Sequence, residues 1–292
     1  MTRKNTPPTK RPVVLAIVSD LHAGSTVALC PPEIALDDGG AYQASKAQRW
    51  LWGNWREYWE RVDAVRTRLS ADLYVAMNGD LTDGDHHGTT QILSGNPTAQ
   101  AAVLNAVLSV PRSLNPDKWV FVRGTEAHVG KSAAFEERVA LGLHKDGQPV
   151  LMCADTGTAS HWQARLDIHG VRLDLAHHGR VGQRPWTKPN VTMNMAAEIF
   201  YEHSRHGIPH PHLAIRSHMH QHVDTFEAHP VRAIQTPAWQ LPTAFIHRIA
   251  PGALADVGGL IVSIWPGDTP PEKRYSVEAV IYRPSPPTPY VV

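Results

Sequence analysis

Short apolar runs alternate along the chain with longer segments of helical periodicity. Five runs rich in Val, Ile, Leu and Ala stop at polar residues: VVLAIVSD, DLYVAMNGD, KWVFVRG, VRLDLAHHG and HLAIRSHMH. Runs of this length and composition are typical of strands buried on both faces. The pattern therefore predicts strands that each carry polar groups at the carboxyl end.

Helices are predicted between these runs. Residues 45–70 place apolar side chains at spacings of three and four, which indicates an amphipathic helix. We assign its aromatic stripe, with Trp55 and Tyr58, to core packing rather than to base stacking. Three further helices are predicted, over residues 98–110 before Pro111, over 132–143 with Ser132 as its cap, and over 191–206 before Gly207.

The order of these elements predicts the fold class. Strand and helix alternate in the first part of the chain, two strands turn at His169 and Gly170, and three or more strands follow residue 220. This order is typical of a layered α/β fold with mixed sheets. Because no low-complexity linker divides the chain, we expect a flexible tail over residues 1–12, one domain over 13–283 and a Pro-rich tail over 284–292.

Composition excludes several classes of function. The formal net charge of +1 gives no overall field for nucleic acid or a membrane surface, so any anion recognition must be local. Cys30 and Cys153 cannot build a disulfide framework, and neither lies in a cysteine-based zinc motif. No segment has the unbroken apolar length of a membrane span. We therefore expect a cytoplasmic protein without a membrane partner.

Acidic and imidazole side chains gather where the predicted strands end. In open α/β sheets ligands bind beyond the carboxyl ends of the strands, so these groups should converge. Carboxylate and imidazole ligands without thiolate suit Mn, Fe, Zn, Ni or Mg, and there are more of them than one ion requires. A centre of two divalent metal ions, most plausibly Mn, is the economical interpretation. The residues are Asp20 and His22, Asp80 and Asp83, Glu126 and His128, His177 and His178, and His218 and His220.

These residues stand in motifs that resemble a known family. SDLHAG matches a D-x-H motif, NGDLTDG a G-D-x-x-D-G motif and SHMHQ a G-H-x-H motif with Ser217 in place of the glycine. LAHHG matches the lone histidine that follows another strand. In this order, over about residues 13–225, the motifs resemble the calcineurin-like metallophosphoesterases.

The resemblance implies a fold and a set of roles. The fold would be a four-layer α-β-β-α sandwich of two mixed sheets between helices. Asp80 would bridge both metals, and Asp83 would support the site beside the catalytic machinery. The remaining ligands would be Asp20, His22 and His220 on the first metal, and His218 with His177, or His178 as the fallback, on the second. The reaction implied is phosphoester hydrolysis by a metal-bridging hydroxide.

The third motif departs from the family. A G-N-H-D/E motif is expected after the third strand, and the chain has RGTEAH there. Either Glu126 replaces the asparagine ligand of the second metal, or Thr125 offers its oxygen and Glu126 supports His128. His128, two positions displaced, is predicted to donate a proton to the leaving oxygen or to hydrogen-bond the phosphate. His86 and His87, in a nearby loop, are expected to be solvated.

The substrate is predicted less sharply than the chemistry. Arg180, Arg184 and Trp186 lie on the loop after LAHHG and are predicted to contact a phosphate and a base or sugar. With the altered third motif, this loop resembles metallophosphoesterases encoded by phages and prophages. A phosphodiesterase or nuclease acting on DNA or nucleotides is therefore expected first. A phosphomonoesterase or nucleotidase is the alternative, and a non-catalytic metal-binding scaffold is an alternative of another class; oligomeric state is left open.

Overall fold

The apolar runs become the central strands of two sheets. A computed structural model of the chain describes residues 10–36, 39–86, 88–182, 184–250, 254 and 256–285. Most of the two predicted tails, residues 1–9 and 286–292, lies outside these residues, as does His87.

The first sheet has six strands in the order β13-β12-β1-β4-β5-β6. From β1 to β6 neighbouring strands are parallel, whereas β12 pairs antiparallel with both β1 and β13. The strands are β1 (Val13–Val18), β4 (Asp72–Asn78), β5 (Lys118–Val122), β6 (Ser160–His161), β12 (Val257–Ile264) and β13 (Tyr275–Tyr282).

The second sheet has five strands in the order β10-β11-β9-β8-β7. Its central strands β8, β9 and β11 are parallel, and the edge strands β7 and β10 are antiparallel to their neighbours. The strands are β7 (Gln163–Ile168), β8 (Val171–His178), β9 (Leu213–Ser217), β10 (Val223–Asp224) and β11 (Arg232–Gln235), with a separate short ribbon of β2 (Glu33–Ala35) and β3 (Ala41–Gln43).

Six helices accompany the sheets within the described residues. They are α1 (Lys46–Leu69), α2 (Pro97–Arg112), α3 (Glu126–Val129), α4 (Ala134–Lys145), α5 (Lys188–Arg205) and α6 (Ala244–Ile249). Ser45 caps α1 in a reciprocal capping box with Gln48. None of the helices in this part of the chain has the length and apolar character needed to span a bilayer.

Strand β1 shows why four layers form. Its side chains alternate between two cores, and every residue of the strand is buried. Leu15 and Ile17 pack between the two sheets with Leu175 and Ile215, whereas Ala16 packs against the aromatic face of α1. A separate cluster with Met195 and Ala196 covers the other face of the second sheet with α5. The predicted four-layer α-β-β-α sandwich of two mixed sheets is confirmed.

Several predicted boundaries were wrong for local reasons. Helix α2 continues past Pro111 to Arg112, because proline in the last turn loses little hydrogen bonding. Ser132 has a left-handed backbone (φ 56°) in a short 3₁₀ turn before α4, and its side chain caps no helix. Helix α5 begins at Lys188, three residues before the predicted start. The short elements β2, β3, β6, α3 and α6 were not predicted, because few residues carry too little periodicity.

Candidate metal centre

The carboxyl ends of β1, β4, β8 and β9 bring their polar residues to one place. The nitrogen and carboxylate oxygen atoms of the candidate ligands form groups of three, and within each group these atoms lie within 4.8 Å of one another. The groups overlap because His22 and Asp80 each belong to two of them. They are Asp20, His22 and His220; His22, Asp80 and His128; and Asp80, His177 and His218.

The backbone at this edge is held in a rarely populated conformation. Asp20, His22, Asp80, His218 and His220 all have positive φ, between 43° and 74°. Left-handed backbone costs of order 1 kcal/mol or more at residues with a Cβ and persists only where surrounding structure enforces it. Such strain at five candidate ligands is typical of a functional site.

Two glycines allow the loops to approach closely. Gly79 has a φ of 92°, and a side chain there would overlap the imidazole of His177. A Cβ at Gly124 would overlap the backbone and carboxylate of Asp80. The glycines that precede Asp80 and Thr125 are therefore required for the strand ends to share one centre.

The environment of Asp20 fits a cation. Its carboxylate is fully buried, and Oδ1 accepts no hydrogen bond from any residue that the structure describes. Three imidazole nitrogens face this oxygen: Nε2 of His220 at 3.3 Å, of His177 at 3.8 Å and of His22 at 4.0 Å. A buried carboxylate oxygen that faces three imidazole nitrogens without a well-formed hydrogen bond to any of them is a donor set that a divalent metal ion fits.

Neighbouring acceptors orient the two most buried imidazoles. Nδ1 of His177 donates to the carbonyl of Asn78 at 2.7 Å, and Nδ1 of His22 faces Oδ1 of Asp83 at 3.0 Å. Both rings therefore direct Nε2 into the centre, where His177 lies 3.0 Å from Oδ2 of Asp80. A second partner that fixes the ring and its tautomer is characteristic of metal-binding histidines. His178 is exposed and belongs to none of the ligand groups found among the described residues.

Charge balance at the centre is also unusual. Burial alone would raise the pKa of Asp20, but His177 and His220 lower it to about 2. Burial likewise opposes charge on His177, yet Asp80 and Asp20 raise its pKa to about 10. The buried carboxylates thus hold a proton on His177 at neutral pH, and a divalent cation would supply the same positive charge.

The third motif lies at the centre through Thr125. Its backbone N–H donates to Oδ1 of Asp80 at 2.6 Å, and its hydroxyl lies 3.2 Å from both Oδ2 of Asp80 and Nδ1 of His218. Glu126 is exposed and accepts a hydrogen bond from the Ser132 N–H at 3.0 Å. The structure therefore brings Thr125 to the ligands and does not bring Glu126 there, because α3 starts at Glu126 and turns its side chain outward.

His128 reaches the centre from the last turn of α3. Its Nδ1 donates to the backbone carbonyl of Asp83 at 2.8 Å, and its ring meets His22 edge-on with 4.6 Å between ring centroids. Burial and the neighbouring His22 lower the pKa of His128 to about 4. His128 is therefore a neutral imidazole at pH 7, with Nε2 left for a bound group.

Residues outside the motifs complete the centre. His86, expected to be solvated, is only 21% exposed, has Nε2 3.7 Å from Oδ1 of Asp83 and forms a further candidate group with Asp83 and His128. The same Asp83 oxygen accepts from Nε2 of Gln240 at 3.3 Å. His86 carried a sequence signal, since it lies three residues from Asp83, whereas Gln240 carried none.

Glu136 is the most consequential residue that sequence reasoning missed. It is fully buried, and its carboxylate accepts from the Gly124 N–H at 2.5 Å and the Leu81 N–H at 3.4 Å. Burial and the nearby Asp80 raise its pKa to about 8. Glu136 thereby ties the loops that carry Asp80 and Thr125 to the first turn of α4. An acidic pair at a helix start resembles ordinary helix charge patterning, so the sequence did not reveal this role.

The predicted substrate residues lie on the exposed loop after His178. Arg180 is 72% exposed with Nη1 3.8 Å from Glu198, Arg184 is exposed, and Trp186 is 74% exposed. Their contact with a substrate stays a prediction.

Comparisons with known proteins place the chain only distantly. No family model and no curated protein matches it. A 5′-nucleotidase from Candida albicans has a TM-score of 0.45 and 13% identity over 92% of this chain, which spans about half (51%) of that structure's length. A dimetal phosphatase from Danio rerio has a TM-score of 0.36 and 9% identity, covering 86% of this chain and 95% of its own.

A third solved structure is similar at the same level. Vps29 from Entamoeba histolytica, complexed with zinc, has a TM-score of 0.34 and 10% identity, covering 92% of this chain and 98% of its own. Likeness of this size does not transfer an activity. The function of this chain must therefore come from the side chains at its centre.

Proposed function

We propose that the chain is a metal-dependent phosphoester hydrolase with two divalent cations. The observation that carries the proposal is the overlap of the ligand groups at Asp80, together with a buried Asp20 oxygen that has three imidazoles around it. Overlapping groups of three allow two cations to share one carboxylate. Two cations held in this way suit the displacement at phosphorus, in which charge develops on the attacking and leaving oxygens.

Each residue has a role in this proposal. Asp20, His22 and His220 would hold one cation, His177 and His218 the other, and Asp80 both. Thr125 would hold the second cation's ligands through its contacts with Asp80 and His218, in place of the asparagine that the family motif predicts. When bound, two such cations act as Lewis acids toward a phosphoryl group and make water a stronger nucleophile. The oxygen and nitrogen donors without sulfur suit Mn, Fe, Zn, Ni or Mg, and we take Mn as the first candidate.

His128 would act on the substrate rather than on a cation. Its Nδ1 is committed to the Asp83 carbonyl, so Nε2 keeps its lone pair and is the atom that would accept a hydrogen bond from a bound group. Since the imidazole is neutral at pH 7, it would accept a hydrogen bond from water at the centre, as a base does, rather than donate the proton expected for the leaving oxygen. Asp83 would position His22 and His128 from behind.

The substrate class that we favour is a phosphodiester of nucleic acid or a nucleotide. Arg180 and Arg184 on the loop after His178 suit contact with phosphate oxygens next to the reacting one. A diester has an organic group on each side of the phosphorus, so residues beside the centre can contact the second group, which a small monoester lacks.

Hydrolysis of two model substrates with manganese tests the proposal. We expect turnover of bis(p-nitrophenyl) phosphate to exceed that of p-nitrophenyl phosphate, and metal analysis to find two ions per chain. His128→Ala should lose about 100-fold in kcat while both ions stay bound. Preference for the monoester would indicate a phosphatase or nucleotidase. Two bound ions with no turnover of either ester would reject the enzyme in favour of a metal-binding scaffold.

A further inference from the structure

Trp162 is a large aromatic side chain that lies where the two sheets join and is not part of the core. It occupies the single residue between β6 of the first sheet and β7 of the second. Its surface is 53% exposed, whereas Trp55, Trp59, Trp119 and Trp239 are fully buried. Since an indole gains free energy by burial, an exposed one at this position needs an explanation.

Strand pairing places the backbone of Trp162 between the segments that carry Thr125 and His177. On one side, the His161 carbonyl accepts from the Arg123 N–H at 2.9 Å, one residue before Gly124 and two before Thr125. On the other side, Gln163 pairs with Ala176, the residue before His177. The position of Trp162 is thus set by backbone pairing with the two segments that lead to Thr125 and His177.

A fixed cation supports the indole. The guanidinium carbon of Arg123 lies 5.2 Å from the centroid of the Trp162 ring. Arg123 is itself held, since Nε donates to Ser160 Oγ at 2.9 Å and Nη2 lies 3.6 Å from Oε2 of Glu137. The Arg123 side chain is only 14% exposed. A guanidinium fixed against one side of the indole keeps the ring oriented and leaves its exposed surface available to a ligand.

We propose that Trp162, backed by Arg123, is a stacking platform for a nucleobase attached to the phosphate at the metal centre. The proposal deepens the proposed function, on which it rests, by making a planar base the feature that the enzyme selects. Stacking on an aromatic ring is tolerant of base identity, and it strengthens binding by roughly 5- to 150-fold per base. Trp162 would therefore separate nucleotide esters from esters without a ring, and it would not select one base.

The molecule contains a matched control at its opposite end. Phe226 is 64% exposed, and the guanidinium carbon of Arg232 lies 5.4 Å from its ring centroid. Arg232 is held by Asp224, with Nε at 2.9 Å and Nη2 at 2.6 Å from its carboxylate oxygens. Arg232 starts β11 and pairs with Leu213, at the end of β9 away from His218. An aromatic ring beside a fixed guanidinium is thus present at both ends of the parallel strands, and of these two pairs Trp162 with Arg123 is the one whose backbone adjoins the segments that carry Thr125 and His177.

Binding without turnover tests the platform independently of hydrolysis. The probes are a non-hydrolysable phosphonate analogue of thymidine 5′-monophosphate, ethylphosphonate as the ring-free control, and a phosphorothioate thymidine tetranucleotide, titrated calorimetrically with manganese present. Trp162→Ala should weaken the thymidine analogue about tenfold, within the range of one stacked base, and leave ethylphosphonate within twofold. Trp162→Phe should restore most of the lost affinity. Phe226→Ala should leave the affinities for the thymidine analogue and for ethylphosphonate unchanged. Tighter binding of the tetranucleotide than of the mononucleotide would identify nucleic acid as the source of the base, and equal binding would identify a nucleotide.

Kinetics then separate this proposal from the hydrolase proposal. The p-nitrophenyl ester of thymidine 5′-monophosphate and methyl p-nitrophenyl phosphate break the same bond with the same leaving group. Trp162→Ala should raise KM for the thymidine ester about tenfold with little change in kcat, and spare the methyl ester. Equal losses on both esters, no loss of analogue binding, or failure of wild type to bind the analogue would each overturn the platform. Normal analogue binding without hydrolysis of either ester would overturn only the hydrolase.

Discussion

The two ends of the parallel strands use charge in opposite ways. At the amino ends, Arg11 and Asp72 form an ion pair at 2.9 Å, with 59% and 31% of their side chains exposed. At the carboxyl ends, Asp20 and Asp80 are buried, lie on left-handed backbone and face imidazoles. The Arg11–Asp72 pair is largely solvated, whereas the two carboxylates at the carboxyl ends are buried on rarely populated backbone, and one Asp20 oxygen accepts no hydrogen bond from the described residues. Folding alone therefore does not explain the carboxyl ends.

Removing the shared carboxylate should have the largest effect. Asp80→Ala should lose at least one cation and reduce turnover by about 1,000-fold or more, because Asp80 belongs to two ligand groups. Metal content by mass spectrometry, with the initial rate of diester hydrolysis, checks this. Asp83→Ala, which leaves Asp80 in place, is the matched control and should retain more metal. Full occupancy in Asp80→Ala would contradict the proposed sharing.

Removing Glu136 should have the next largest effect, and that effect should appear in the stability of the protein. Glu136→Ala leaves the N–H groups of Gly124 and Leu81 without their acceptor, which we expect to lower the free energy of unfolding by about 3 kcal/mol. Urea denaturation measures it. Glu136→Gln, which keeps the shape and one acceptor oxygen, should lose clearly less. Equal unfolding midpoints for wild type and Glu136→Ala would show that Glu136 does not stabilise these loops.

Substitutions in the third motif, RGTEAH, distinguish Thr125 from Glu126 as the residue that supports the second cation. Thr125→Val removes the hydroxyl that contacts Asp80 and His218, and it should weaken binding of the second cation about tenfold. Glu126→Gln should change cation affinity less than twofold, because its carboxylate accepts from Ser132 instead. Competition with a fluorescent chelator measures both affinities. A larger loss of cation affinity in Glu126→Gln than in Thr125→Val would instead identify Glu126 as the ligand.

At the amino ends the effects should be small. Asp72→Asn should lower the free energy of unfolding by less than about 1 kcal/mol, as expected for an exposed ion pair. Diester turnover and metal content should equal those of wild type, since the pair lies at the far end of β1 and β4. Urea denaturation and the hydrolysis rate check both. A large loss of turnover here would mean that the two ends are coupled.

Much of the fold was predictable because buried parallel strands and an amphipathic helix leave long patterns. The apolar runs ending at Asp20 and Asp80 and the stripe of α1 all formed as predicted. The polar residues at the ends of all five of these strands meet, as the rule on strand carboxyl ends requires. The sequence could not predict where Glu126 points, because one residue of helix start rotates its side chain away from the centre.

Periodicity and residue type predicted the layered α/β class and gathered Asp20, His22, Asp80, His177, His218 and His220 at strand ends as candidate ligands, because both depend on short-range patterns. The four-layer sandwich and the division of the ligands between two metals were implied by the resemblance of the motifs to a family. Only the tertiary structure decided which groups touch. It brought Thr125 and not Glu126 to Asp80, buried Glu136 beneath two loops, and placed the backbone of Trp162 next to the strand that carries His177. His177, which the sequence already favoured over His178, does contact Asp80. These outcomes depend on contacts between residues far apart in the chain, and local patterns do not encode such contacts.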